Sequence, residues 1–308
     1  IESVAKMVAL GGRADKIRLT FQEYFESLGT DSRKWGRPFA ALLGALWAQH
    51  QLEIPAIGGK DSMSGTFMDL TVPPTLASFA VDVMKADNAI SPEFKVAGSK
   101  VYYVPMPKDD LAMPDFRKLR ATYEKVSNFM ADKKVFAASS VRMGGVAAAI
   151  TKMCLGNGIG FRFNSKPAMN DLFKADYGAL ILEVAPDSDI KEALAGTGCY
   201  ELGTTTQNSN IVAGDAVIGY AEAKKAYTNP LEKIFPTKVK VGEKKTASEY
   251  IYTGGNRVTP KVGIAKPKIF IPVFPGTNCE YDTARAFRRA GGDPETLVIR
   301  NLTPQAVE

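Results

Sequence analysis

The segment IPAIGGKDSMSG, residues 54–65, places chemistry-bearing side chains beside two glycines. Gly58 and Gly59 have no Cβ, so their backbone N–H groups can come close to a phosphate oxygen. Lys60 supplies a point charge for the same anion. Asp61 is the residue type that holds Mg2+ or orients a hydroxyl, and the hydroxyls of Ser62 and Ser64 can donate to phosphate oxygens. The spacing falls short of a full phosphate loop, which needs another glycine upstream and a lysine followed directly by Ser or Thr. On residue types alone the segment also reads as a turn between two strands, with Lys60 and Asp61 paired in solvent.

Other reactive types carry weaker signals. His50 is the only histidine. At the end of an apolar helical pattern it suits a cap or surface position better than a general base. Cys154, Cys199 and Cys279 are irregularly spaced, which fits neither a zinc site nor an even disulfide framework and points to a reducing compartment, the cytoplasm. GTTTQNSN at 203–210 reads as a polar hairpin loop. Met143, Met153 and Met169 read as core filling.

The elements that must position these groups follow from periodicity and punctuation. Residues 1–28 read as helix broken at Gly11-Gly12. PFAALLGALWAQHQL reads as a helix with Pro38 near its start and an almost wholly apolar surface, and IPAI as a buried strand running into a glycine loop. VPPTLASFAVDVM alternates as a strand does. KVYYVPM, GIGFRFN, ALILEV and stretches near 199–204 and 216–220 are further strands. FRKLRATYEKVSNFMADKK, GGVAAAITKMCL and DIKEALAG are helices. A boundary near residue 92 separates domains 1–92 and 93–235, and 236–266 reads as a linker. PKIFIPVFPG, then TNCEYDTARAFRRAGG capped by Thr277 or Asn278 and stopped at Gly291, then TLVIRNL give strand, helix, strand. That order opens a parallel doubly wound sheet over 267–308.

Composition sets the outer limits. The chain has 308 residues, 45% of them hydrophobic, enough for real cores. The net charge of +6 is scattered, which suits small anions better than nucleic acid. No apolar stretch is long enough to span a bilayer, and no signal peptide is visible. The chain opens IESVAKM and stops at TPQAVE inside a folded pattern, so it is expected to be a piece of a larger protein.

IPAIGGKDSMSGTF followed by PPTLASFAVDV resembles the second synthetase half of large phosphoribosylformylglycinamidine synthases, and PKIFIPVFPGTNCEYDTARAFRRAGG resembles the opening of that family's glutamine amidotransferase domain. The two matches stand in the family's order. The resemblance implies an α/β (α+β) fold: aminoimidazole-ribonucleotide-synthetase-like N-type and C-type domains, then the first βαβ of a flavodoxin-like class I amidotransferase domain. It implies an ATP- and Mg2+-using ligase that converts formylglycinamide ribonucleotide to its amidine with nitrogen from glutamine. The chain's partners would be other segments of the same polypeptide, with no nucleic acid and no membrane. Lacking the glutaminase cysteine elbow, the chain alone would be inactive, and Cys279 would be incidental. The alternative is a non-catalytic nucleotide-binding or scaffold module of the same fold.

The resemblance also implies a second cluster, with departures. The family's helical Glu and Asn, four residues apart, bind Mg2+; here they are Glu2 and Lys6. Its His-Asp-x-Ser-Asp-Gly-Gly loop corresponds to SSVRMGGVAAAI. Gly144 and Gly145 remain as phosphate-facing candidates, but the metal-binding Asp is Ser140 and the nucleotide-facing Ser is Arg142. Two lost ligands and two gained cations imply an accessory cleft without Mg2+, or one that binds an anion through Arg142 and Lys6.

Overall fold

The computed structural model describes residues 1–165, 169–238, 254, 263–274, 276–300, 303 and 305. Most of the expected linker, 236–266, and the side chain of Met169 lie outside the described residues. Ile1–Val239 and Lys240–Glu308 are separate compact units.

The first unit opens with α1 (Glu2–Ala9), which buries Val4, Ala5, Val8 and Ala9 along one face. The expected helix does not resume after Gly12. RLTFQEY forms β1 (Arg18–Tyr24), because its apolar and polar residues alternate and both its edges find partners. The helix α2 (Ser32–Leu52) starts earlier than its apolar run, since the Asp31 carboxylate accepts the Arg33 N–H at 2.9 Å. Pro38 therefore lies inside the helix rather than at its first position. Glu53, in the left-handed region at φ 56°, ends it.

Next come β2 (Ala56–Ser62), the short hairpin β3 (Thr66–Phe67) and β4 (Leu70–Thr71), and β5 (Thr75–Val81). The strands β2, β1 and β5 form one sheet in that order, with β1 parallel to β2 and antiparallel to β5.

The rest of the unit comprises β6 (Lys100–Val104), α3 (Phe116–Ala131), β7 (Val135–Ser140), α4 (Gly145–Asn157), β8 (Gly160–Phe163), α5 (Met169–Phe173), β9 (Leu180–Val184), α6 (Ile190–Ala193), β10 (Tyr200–Thr206), β11 (Ile211–Ala213), β12 (Ala216–Ile218) and α7 (Tyr220–Thr228). Its seven-stranded sheet runs β12-β11-β8-β10-β6-β9-β7. Every residue of β9 is buried, as its mostly apolar sequence predicts for an inner strand. Within it Glu183 is fully buried: Oε2 accepts the Lys95 N–H at 2.8 Å and Oε1 the Val96 N–H at 2.9 Å. That carboxylate fixes the segment leading from the small sheet into β6. The sequence reading passed over β7, β11 and α7, which are short or weakly periodic.

The helix α1 lies against β5 of the small sheet and β7 of the large one, so it is the element both sheets share. The Ser3 and Ser78 hydroxyls meet at 2.8 Å on the β5 side. By contrast α2 leaves Trp35, Phe39, Leu42 and Leu46 about half exposed, and Phe79 and Val81 of β5 are equally open.

The second unit contains β13 (Lys268–Val273), α8 (Glu280–Arg289) and β14 (Asp293–Val298), the two strands parallel, as strand-helix-strand order requires. The expected Thr277 or Asn278 cap is replaced by Cys279 at φ 66°, without a side-chain capping bond. The Thr277 hydroxyl instead accepts the Phe274 N–H at 3.0 Å, tightening the turn before the helix.

Candidate functional site

The glycine-lysine-aspartate segment is a strand rather than a loop: Gly58 to Ser62 complete β2 in register with Thr20 to Tyr24. Neighbouring residues of a strand point to opposite faces, so the expected Lys60–Asp61 pair does not form. Lys60 Nζ lies 5.6 Å from the centre of the Tyr24 ring, and Asp61 is opposite Glu23. Burial, and then the Asp61 charge, hold the Glu23 carboxyl above the usual glutamate range.

The two glycines play different parts. A Cβ on Gly59 would stand 2.6 Å from the Phe21 carbonyl oxygen, so Gly59 permits close pairing with β1. A Cβ on Gly58 would meet nothing within 4 Å. Because β2 is an edge strand, alternate N–H groups along it point away from β1 and are free of the ladder. Ser62 and Ser64 Oγ lie 3.3 Å apart at the end of the strand. A cleft of about 460 Å3 lies between this edge and α2, lined by Phe21, Glu23, Trp35, Phe39 and the segment Gly58 to Asp61. It combines an apolar wall with exposed backbone and charged side chains, which suits a small ligand with a flat part.

The second cluster forms where α1 meets the turn between β7 and α4. Lys6 Nζ is 2.8 Å and Arg142 Nη1 3.5 Å from Glu2 Oε1. Lys6 is the main cause, with Arg142 adding to it, of a Glu2 carboxyl held below its ordinary range. Ser140, half-buried, ends β7. Gly144, at φ 87°, turns the chain into α4. Gly145 is buried at φ 62°, and a Cβ there would lie 2.4 Å from the Leu172 carbonyl oxygen and 2.8 Å from that of Lys174. Close packing against residues 172–174 therefore requires glycine at this position.

These residues do not fit Mg2+. A hard divalent cation wants several oxygen ligands at short range. Here the Glu2 carboxylate already carries two cations, and among the described residues no group of three or more His, Cys, Asp or Glu side chains could hold a metal. Nor does the structure bring the two clusters together: β2 is separated from β5, the strand touching α1, by β1.

A second cleft, about 430 Å3, went unnoticed in the sequence. It is lined by Arg13, Asp15, Glu53, Arg117, Arg120 and Glu124, with Arg120 ion-paired to Glu53. Residues so far apart in the chain carry no spacing signal. His50 is exposed in the last turn of α2, and its carbonyl accepts the Glu53 N–H, in keeping with a surface position. Met153 is fully buried as expected, but Met143 is 80% exposed.

Comparison with known proteins agrees with this architecture. Residues 266–308 match the CobB/CobQ-like glutamine amidotransferase domain. The phosphoribosylformylglycinamidine synthase subunit PurL of Pyrobaculum islandicum is 26% identical over 156 residues, covering 44% of this chain and 22% of the relative. PurLQS from Thermotoga maritima superposes with a TM-score of 0.54 at 15% identity, over 71% of this chain and 40% of that one. The hydrogenase maturation protein HypE superposes with a TM-score of 0.51 at 14% identity, over 68% of this chain and 75% of that one. The chain spans about a fifth of the length of the curated relatives it matches.

The chain thus shares an α/β fold with these solved structures, and its residues 266–308 match a glutamine amidotransferase domain. The curated relatives and the matched C-terminal segment support the resemblance read from the motifs over part of the chain, and the solved structures share its fold.

Proposed function

We propose that this chain is the second synthetase half, with the start of the glutaminase domain, of a large phosphoribosylformylglycinamidine synthase acting in cytoplasmic purine biosynthesis. The whole enzyme uses ATP to activate the amide oxygen of formylglycinamide ribonucleotide, and ammonia from glutamine displaces the phosphate. The observation that carries this reading is the order of parts in one chain: a synthetase-like unit precedes a segment matching a glutamine amidotransferase domain. Residues 1–92 act as the N-type domain, 93–235 as the C-type domain and 236–266 as the linker.

On this reading the edge of β2 faces a phosphate. Gly58 offers backbone N–H, Lys60 and Ser62 offer charge and hydroxyl from one face, Ser64 adds a hydroxyl just beyond, and Asp61 points the other way, toward Glu23. PurL of Thermotoga maritima has been solved with ATP and with FGAR, which supports a site of this kind on the same fold. Other segments of the polypeptide cover the exposed face of α2 and β5, since an apolar surface of this extent is rarely left to water.

The test is amidine formation by the full-length protein with ATP and glutamine. Lys60→Ala is expected to lower kcat/KM by roughly 10²-fold, the usual cost of one lost charge-stabilising donor, and the isolated 308-residue chain to form none. Full activity of the Lys60→Ala enzyme would remove the phosphate role.

A further inference from the structure

We infer that the junction of α1 with the β7–α4 turn excludes a metal ion, and that the Lys6–Glu2–Arg142 triad joins the two elements as a divalent ion otherwise would. The inference stands on geometry and holds whether or not the proposed activity is correct.

Three observations support it. The first is the bridge itself. Glu2 Oε1 takes Lys6 from its own helix at 2.8 Å and Arg142 from the turn after β7 at 3.5 Å, so one carboxylate oxygen ties α1 to the turn. The second is that two nearby carbonyl oxygens are already engaged. The Arg142 carbonyl accepts the Gly145 N–H at 2.9 Å, and the Ser140 carbonyl is contacted by the Ser139 hydroxyl at 3.5 Å. The third is charge: two cations against one carboxylate leave a net charge of about +1 where a divalent cation would have to sit, and like charges at a few ångströms repel even near the surface.

The groups are 37–48% exposed, so neither pair is worth much alone. The position of the bridge counts for more than its strength. The helix α1 is packed against β5 and β7, and α4 starts directly after the Arg142 turn. A tie at this point sets how α1 meets the turn.

The experiment uses the 308-residue chain and Mn2+, read by water-proton relaxation and by melting temperature, with no nucleotide present. The wild type and Glu2→Gln should give the same Mn2+ signal. Lys6→Asn, Ser140→Asp and Arg142→Ser combined should lower the melting temperature in EDTA, gain a Mn2+ site that Glu2→Gln abolishes, and regain the lost stability when Mn2+ is added. The milder Arg142→Gln should show a smaller gain in the same direction, which keeps the test open if the triple variant does not fold. Mn2+ binding by the wild type that depends on Glu2 would overturn the inference. So would triple and single variants that fold but gain no Mn2+ binding, since the cations would then not be what excludes the metal. Neither readout involves catalysis, so failure here is separable from failure of the proposed function.

Discussion

Glu23 and Asp61 are register partners across the parallel β1–β2 pair, two carboxylates side by side on the face opposite Lys60. The alternation of the strand therefore sorts one short motif by charge: the cation joins Tyr24, and the acid joins another acid.

The first prediction concerns that acid pair. Burial is the larger cause of the raised Glu23 pKa and the Asp61 charge the smaller. Asp61→Asn should therefore lower the Glu23 pKa without returning it to the ordinary value. The sign for stability follows. A glutamate with a raised folded pKa binds its proton more tightly in the folded state, so its contribution grows as pH falls through the window just above the ordinary glutamate pKa. That growth should shrink in Asp61→Asn. Carboxyl carbon NMR and urea midpoints across that window measure both effects, and an unmoved Glu23 titration would show that the two groups are not coupled.

The second prediction separates the two glycines. Gly59→Ala puts a methyl 2.6 Å from the Phe21 carbonyl and forces β1 and β2 apart, so it should destabilise the chain by about 1–3 kcal/mol. Gly58→Ala meets only open space and should leave the melting temperature nearly unchanged. If the β2 edge holds a phosphate, the same change lowers activity of the full-length enzyme by crowding the ligand. Chemical denaturation of the two variants side by side decides the structural half.

The third prediction is that Glu183→Ala costs about 3 kcal/mol, the usual scale for leaving buried donors unpaired when a charged acceptor is removed. The N–H groups of Lys95 and Val96 would lose their partner at a part-buried site, where only Glu183 itself is fully enclosed. Burial raises the Glu183 pKa, while the two N–H groups pull the other way. Glu183→Gln should therefore recover part of the loss, because its amide oxygen still accepts one of the two bonds. Equal stability of wild type and Glu183→Ala in urea would contradict this account.

Much of this fold was readable from local pattern, and the misreadings have physical causes. Strongly periodic or mostly apolar runs such as FRKLRATYEKVSNFMA and LILEV form α3 and β9, because they meet their burial within a single element. RLTFQEY was mistaken for helix because its aromatic spacing at Phe21, Tyr24 and Phe25 also fits a helical turn, and only pairing on both sides decides for strand. Gly58 and Gly59 suggested a loop, but an edge strand accepts glycine where a neighbouring carbonyl comes close. The residue types at Glu2, Lys6 and Arg142 were legible as an exchange of ligands for cations. That the cations would settle on Glu2 itself was not, since Arg142 lies far along the chain and reaches Glu2 only through the packing of α1 on β7.

The last prediction concerns the three thiols. Burial pushes the Cys154 thiol up to about 12 and that of Cys199 up to about 11, so at neutral pH almost none of either is thiolate, the reactive form. Cys154 is also closed to reagent at 1% exposure, whereas Cys279 is exposed at the start of α8. A disulfide-exchange reagent at neutral pH should therefore label one thiol rapidly in the native chain and all three after denaturation. Cys279→Ser should remove the fast phase. Because Cys279 sits at φ 66°, where a side chain is strained, Cys279→Gly should remove the same phase and raise the stability of the second unit by up to about 1 kcal/mol. Two fast phases in the native protein would mean that Cys199, just before β10, is not held in its half-buried setting.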